Sequence, residues 1–148
     1  MLFQRKRKGS AITEFGPSLF IFLIAIFFPL MDVIGMAAVY CSGWYCNFLV
    51  TRELAVRRQQ DEAAVYNEVN TEFMNTGLAQ FVGVRSAADL AHSATYFPAA
   101  GGTPAQVTCT SRVTGKPFLT IPFIPAVPGL SAPVIFRMMS TRPREVTN

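Results

Sequence analysis

The stretch SAITEFGPSLFIFLIAIFFPLM, Ser10–Met31, decides what kind of molecule this is. Its single charged residue is Glu14, and the next carboxylate is Asp32. The 23 residues between Lys8 and Asp32 would make a helix of about 35 Å at 1.5 Å per residue. A bilayer core needs only about 20 apolar residues, so Ser10–Met31 is expected to cross a membrane, with Asp32 emerging at the far interface. Directly before it stand Arg5, Lys6, Arg7 and Lys8. Cationic flanks stay on the cytoplasmic side, which sets the N-terminus inside and exports the chain beyond the span.

That basic run also settles the net charge. The chain of 148 residues carries 13 Lys+Arg against 9 Asp+Glu, a formal +4. Removing the four cations of residues 5–8 leaves nine against nine. Beyond Gly9 the chain is neutral overall, so no nucleic-acid partner is expected. The length allows an anchor and one small domain.

Past the span, Leu49, Val50 and Leu54 lie among polar residues, and Val65, Val69 and Phe73 recur at four-residue steps beside Tyr66 and Met74. Leu78, Phe81 and Val82 continue that apolar face, with Gly77 as an interruption. Arg57, Arg58, Asp61 and Glu62 form a wet face with ion pairs four residues apart. Ser86-Ala-Ala-Asp89 resembles a capping box, predicting a short helix to about Thr95. The breaker Pro98-Ala-Ala-Gly-Gly-Thr-Pro104 changes the texture. In AQVTCTSRVT, residues 105–114, Val107, Cys109, Ser111 and Val113 alternate with Gln106, Thr108, Thr110 and Arg112, the pattern of a half-buried strand. A turn at Gly115-Lys116-Pro117 leads to Pro122, Pro125 and Pro128, whose spacing excludes helix and central strand. Phe118, Ile121, Phe123, Ile124, Val127 and Leu130 in that segment either form an exposed docking surface or outer-leaflet contact or, as expected of so small a sheet, cover it and the stalk helix. A second strand is expected over 134–141. The expected fold class is α+β: a long N-terminal transmembrane helix continuing into a helical stalk, then a small C-terminal antiparallel sheet. The divisions are a basic leader, 1–9; the transmembrane helix, 10–40; an exported helical region, 41–97; and an exported β-rich region, 105–148.

Chemistry is hard to find in this chain. His92 is the lone histidine, and no HExxH, GxSxG or Walker loop is present, so no catalytic residues are expected. No cofactor and no metal are expected either. Of the three cysteines, Cys41 and Cys46 are five apart on one helix, about 140° around it, and pair only if the helix breaks at Ser42-Gly43. A disulfide from one of them to Cys109, or three small apolar side chains, both fit.

Three export signals compete for the N-terminal region. A lipoprotein signal fails because Tyr40 precedes Cys41. A secretory signal cut after Ala37 would release a secreted binding domain, but its apolar region would be overlong. With no cleavage at all the chain would be a membrane anchor that scaffolds an envelope complex. A basic leader ending at Gly9, four uncharged residues, Glu14, Phe15 and then an apolar helix resembles the processing motif of type IV pilin-like proteins. With PLMDVIGMAA and the C-terminal VTGKPFLTIPFIPAVPGLSAPVIFRMMSTRPREV, the chain is similar to the TadE-like minor pilins (pseudopilins) of the tight-adherence, or Flp, pilus system. The similarity is carried by residues 5–35 and 105–146.

This resemblance implies a pilin-like fold, a prepilin peptidase cutting between Gly9 and Ser10, and a single-pass protein of the inner (cytoplasmic) membrane. It also implies partners: membrane lipid, other pilin-like subunits and the pilus assembly machinery. The amine freed at Ser10 would meet Glu14 of its own or a neighbouring copy, with Phe15 beside it. Opposite charges about 4 Å apart attract far more strongly in a low-dielectric setting than in water, so the register of packed helices would be fixed.

Overall fold

The computed structural model describes residues 10–84, 86–118 and 127–145. The leader residues Arg5, Lys6, Arg7, Lys8 and Gly9, and the segment holding Ile121, Pro122, Phe123, Ile124 and Pro125, lie outside them.

One helix dominates. Helix α1, Ser10–Phe22, passes through a π-helical turn, Leu23–Phe27, into α2, Phe28–Val56. Pro29 accounts for the widened turn: it has no N–H to give, and its ring crowds the carbonyl four residues back. The Phe28 N–H accordingly bonds to the Leu23 carbonyl, five residues back. The helix continues to Val56, as expected of a span that runs on into a stalk, and Ser42-Gly43 does not break it.

From Asp32 onward the helix is packed on one side. Asp32, Gly35, Met36, Val39, Gly43, Cys46, Val50 and Leu54 are among its buried positions, a stripe at three- and four-residue steps. Asp32 itself is fully covered rather than open to a headgroup layer. At this level the domain begins to cover the helix. A Cβ added at Gly35 would lie 2.0 Å from the Phe118 ring, and one at Gly129 would lie 3.6 Å from Met36. Phe118 thus touches α2 with its ring half exposed, and Val127 of the same segment is exposed.

Arg57 and Arg58 are extended, and a 3-10 turn, Gln59–Asp61, reverses the chain into α3, Glu62–Met74. Its Val65, Val69 and Phe73 are buried as their spacing predicts. The next short helix, α4, Gly77–Phe81, begins at Gly77, with Thr76 Oγ1 accepting from the Ala79 N–H. Here the apolar face differs from expectation. Ala79, Val82 and Val84 are buried, whereas Leu78 and Phe81 are exposed. A short helix set at a new angle turns its large side chains outward.

Residues 86–97 are also reassigned. The Ser86–Asp89 motif closes only a 3-10 turn, with Ser86 Oγ donating to Asp89 Oδ2 over 3.0 Å. Then comes a strand, β1, Leu90–Phe97. In LAHSATYF the inward positions Leu90, His92, Ala94 and Tyr96 alternate with exposed ones, a period of two that overrides the local capping signal. Strands β2, Gln106–Gly115, and β3, Val134–Pro143, complete an antiparallel sheet in the order β1-β2-β3. The breaker between β1 and β2 is a tight turn at Gly101-Gly102. Both have positive φ, which only glycine adopts without strain, and this suits the twist of a hairpin.

The core lies between α2, α3 and the inner sheet face. Val107, Cys109, Ser111 and Val113 of β2 are all fully buried there, as the alternation predicts. Gly43 lets α2 and the sheet meet, because a Cβ there would come within 1.9 Å of Met138 Cε and 2.9 Å of Val113 Cγ2. The observed architecture is α+β, a long apolar helix carrying a small three-stranded antiparallel sheet and a short helical layer.

Candidate functional site

Two features of the long helix stand out: its outward face and the polar groups on its inward face. Polar groups are buried among Met36, Val39, Cys46, Val50 and Leu54, while large apolar groups lie outside. Asp32, Ser42, Asn47 and Thr51 are buried, while Val33, Ile34, Tyr40, Trp44, Tyr45 and Phe48 are exposed. Large aromatic groups outside and small or polar groups inside are what a helix in apolar surroundings shows, since each buried polar group must then find a partner inside the protein.

The inward polar groups do so. Asn47 Nδ2 donates to Ser140 Oγ at 2.8 Å, and Ser111 Oγ donates to Asn47 Oδ1 at 2.7 Å. The His92 ring bonds Ser111 Oγ through Nδ1 at 2.7 Å and the Asn70 side-chain amide through Nε2 at 2.8 Å. Thr51 Oγ1 donates to the Asn47 carbonyl at 2.6 Å. One chain of bonds thereby ties α2, all three strands and α3 together. Burial pushes the His92 imidazole down to about 4, so the ring is neutral near pH 7. The lone histidine is therefore a packing group, on a strand rather than on a short helix.

The outward face is longer than a bilayer is thick. Phe15–Val56 is long and apolar enough to cross a membrane, by length and composition. From Phe15 to Thr51 the sequence has one charged residue, Asp32, and that one is buried. These residues make about 55 Å of helix against roughly 30 Å of hydrocarbon. Even a tilt of about 40° would immerse only some 39 Å, or about 26 residues. Counted from Phe15, those residues end at Tyr40, so the surplus lies beyond it and includes Trp44, Tyr45 and Phe48. Trp44 Nε1 donates to Tyr40 Oη at 2.8 Å there, and the Arg142 guanidinium sits 4.5 Å from the Phe48 ring centre.

Among the residues singled out from sequence, Ser10, Glu14 and Phe15 fall in the first two turns of α1, with Phe15 66% exposed. Ser10 and Glu14 are one helical turn apart along the backbone. All three cysteines are free thiols, Cys41 exposed and Cys46 and Cys109 buried. Asn47 meets both Ser111 and Ser140, Thr51 also reaches Ser140, and Ser140 lies across the sheet from Cys109. Burial pushes the Cys109 thiol up, so it stays protonated. No group of three or more His, Cys, Asp or Glu among the described residues could hold a metal ion.

The wet face holds an ion pair four residues apart, as expected, but with Glu53 rather than Asp61 as the partner of Arg57. Arg57 reaches Glu53 at 3.3 Å and Glu68 at 2.6 Å, while Glu62 accepts from the Tyr66 hydroxyl at 2.7 Å. The reversal after Val56 brings α3 alongside α2, which places Glu68 beside Arg57 as well.

The Asn47–Ser111–His92–Asn70 chain was missed in the sequence because its members are scattered over 64 positions. The spacing of Gly35, Ser42 and Gly43 inside an apolar helix was the available signal for the packed face. No protein-family model, no curated protein and no solved structure matches the chain.

Proposed function

We propose that this protein is a minor pilin-like subunit of a Tad/Flp-type pilus, anchored by α1 in the inner membrane with its sheet-bearing domain exported. The observation that carries this reading is the outward face of the helix. It exceeds what a bilayer can cover, and its surplus is aromatic, so an apolar protein surface beyond the lipid is called for. Helices of neighbouring pilin-like subunits, packed side by side, supply such a surface. The Arg5–Gly9 leader and the position of Glu14 add the processing chemistry implied by the resemblance. A prepilin peptidase would free an amine at Ser10, one turn from Glu14, and the ion pair would favour the correct register of subunits.

Release as a secreted domain after Ala37 fits the packing poorly. That cut would pass through α2 and strip away Asp32, Gly35 and Met36, which are buried against the domain. No catalytic role is proposed, as the one histidine is committed to Ser111 and Asn70.

Intact mass of the protein recovered from its native membranes is the test. A chain beginning at Ser10 is expected, and Glu14→Ala should leave that mass and membrane insertion unchanged while blocking incorporation into pili. A chain beginning at Met1 would refute prepilin-type processing, and one beginning at Ala38 would refute the anchor.

A further inference from the structure

The charges of the domain are sorted by side. From Gln59 to Val84 the chain carries Asp61, Glu62, Glu68 and Glu72 and no lysine or arginine. From Leu90 to Glu145 it carries Arg112, Lys116, Arg137, Arg142 and Arg144 against the one carboxylate of Glu145. Lys116 is answered by Asp89 at 3.1 Å. Overall neutrality therefore conceals an acidic α3, with Arg57 and Arg58 just before it, and a basic sheet.

Arg112 and Arg137 face each other directly across β2 and β3. Both are exposed, on the sheet face turned away from α2, and no carboxylate lies on that face among the described residues. Like charges opposed on a sheet are unfavourable unless something anionic sits over them. Beside Arg112 is a depression of about 410 Å³ whose floor includes Ala91, Ser93 and Thr110. Ile135 and Met139, 61% and 64% exposed, flank the pair, so the face mixes cations with apolar groups as protein interfaces do.

The opposite side of the domain offers the complement. Glu68 and Glu72 lie one turn apart on the exposed face of α3. Arg57 answers Glu68, whereas Glu72 has no ion pair among the described residues. The hydrogen bonds from Asn70 through His92 to Ser111 set α3 level with β2, so Glu72 and Arg112 stand at one height on opposite sides. Copies anchored by the same helix in one membrane share that height and orientation.

We propose that copies of this chain associate side by side in the membrane, the Glu72 face of one against the Arg112–Arg137 face of the next. The contact is heterologous and extends into rows rather than closing as a dimer. It rests on the membrane-anchored part of the proposed function, not on processing.

The test is energy transfer between labelled copies of the full-length protein in phosphatidylcholine vesicles. Arg112→Glu with Arg137→Glu should weaken self-association about tenfold, as should raised salt, and adding Glu72→Lys should restore it. Thermal midpoints of both variants should match the parent, because all three positions are on the surface. A monomeric parent, or reversal without effect, overturns the proposal. Loss that Glu72→Lys fails to restore also overturns it and assigns the arginine pair to a different acidic ligand, such as a glycan. A chain beginning at Met1 would sink the pilin-like processing and leave this association standing.

Discussion

Leu19 and Leu54 belong to one continuous helical rod and meet opposite fates. Leu19 is 44% exposed and Leu54 is 1% exposed, although each is a leucine in an apolar helix. The division falls at Asp32. Before it, no described side chain is buried by the domain, and the helix depends on its surroundings for cover. After it, α2 gives one face to the sheet and α3 and keeps an aromatic face outward. Hydrophobicity by itself does not mark which half is a core. What separates the halves is the placement of small and polar residues, because close approach needs Gly35 and Gly43, and only an interior with partners accommodates Asn47 and Thr51.

Truncation is the sharpest way to break this comparison. Leu54→Ala should cost the domain about 2–5 kcal/mol, as expected for a buried leucine, and Leu19→Ala about 0.5 kcal/mol or less. Denaturant unfolding in detergent micelles measures both. Equal effects would mean that the half before Asp32 is packed into the domain after all.

The two glycine sites give the next largest contrast. Gly43→Val should destabilise by about 1–3 kcal/mol, since its new atoms would meet Met138 and Val113. At Gly16 an added Cβ meets nothing within 4 Å, so Gly16→Ala should leave domain stability unchanged. Thermal midpoints of the pair decide it.

Acidification tests the polar chain inside the second half. The folded pKa of His92 lies at about 4, below its ordinary value of 6.5. The unfolded chain therefore binds the extra proton first. Stability is complete above about pH 6.5 and falls as pH drops towards 4, by roughly 2–3 kcal/mol over that window. His92→Gln should flatten this dependence in unfolding curves measured between about pH 4 and 7.

The smallest effect belongs to the cap of α4. Thr76→Ala removes the acceptor for the Ala79 N–H and should cost about 1 kcal/mol. Faster amide exchange confined to residues 77–81 would locate the loss.

Several elements were legible in the residues alone. The apolar run to Met31 specifies a helix long and apolar enough to cross a membrane, and a lone Glu14 does not break it. Alternation in QVTCTSRV specifies β2 and its inward residues, and the four-residue steps of Val65, Val69 and Phe73 specify the packed face of α3. These patterns are local, each repeating within one element. Other decisions were made only by contacts distant in sequence. Ser86–Asp89 reads as a helix start, yet β1 comes next, because Leu90–Phe97 pairs along its whole length with β2. Arg57 reaches Glu68 only once the chain has reversed, and Leu78 and Phe81 face outward because α4 takes its own direction. The packed face of α2 is the clearest case. The helix is apolar all round, so periodicity cannot select a face, and the choice fell to the sheet that Gly43 admits and the partners that Ser111 and Ser140 offer to Asn47.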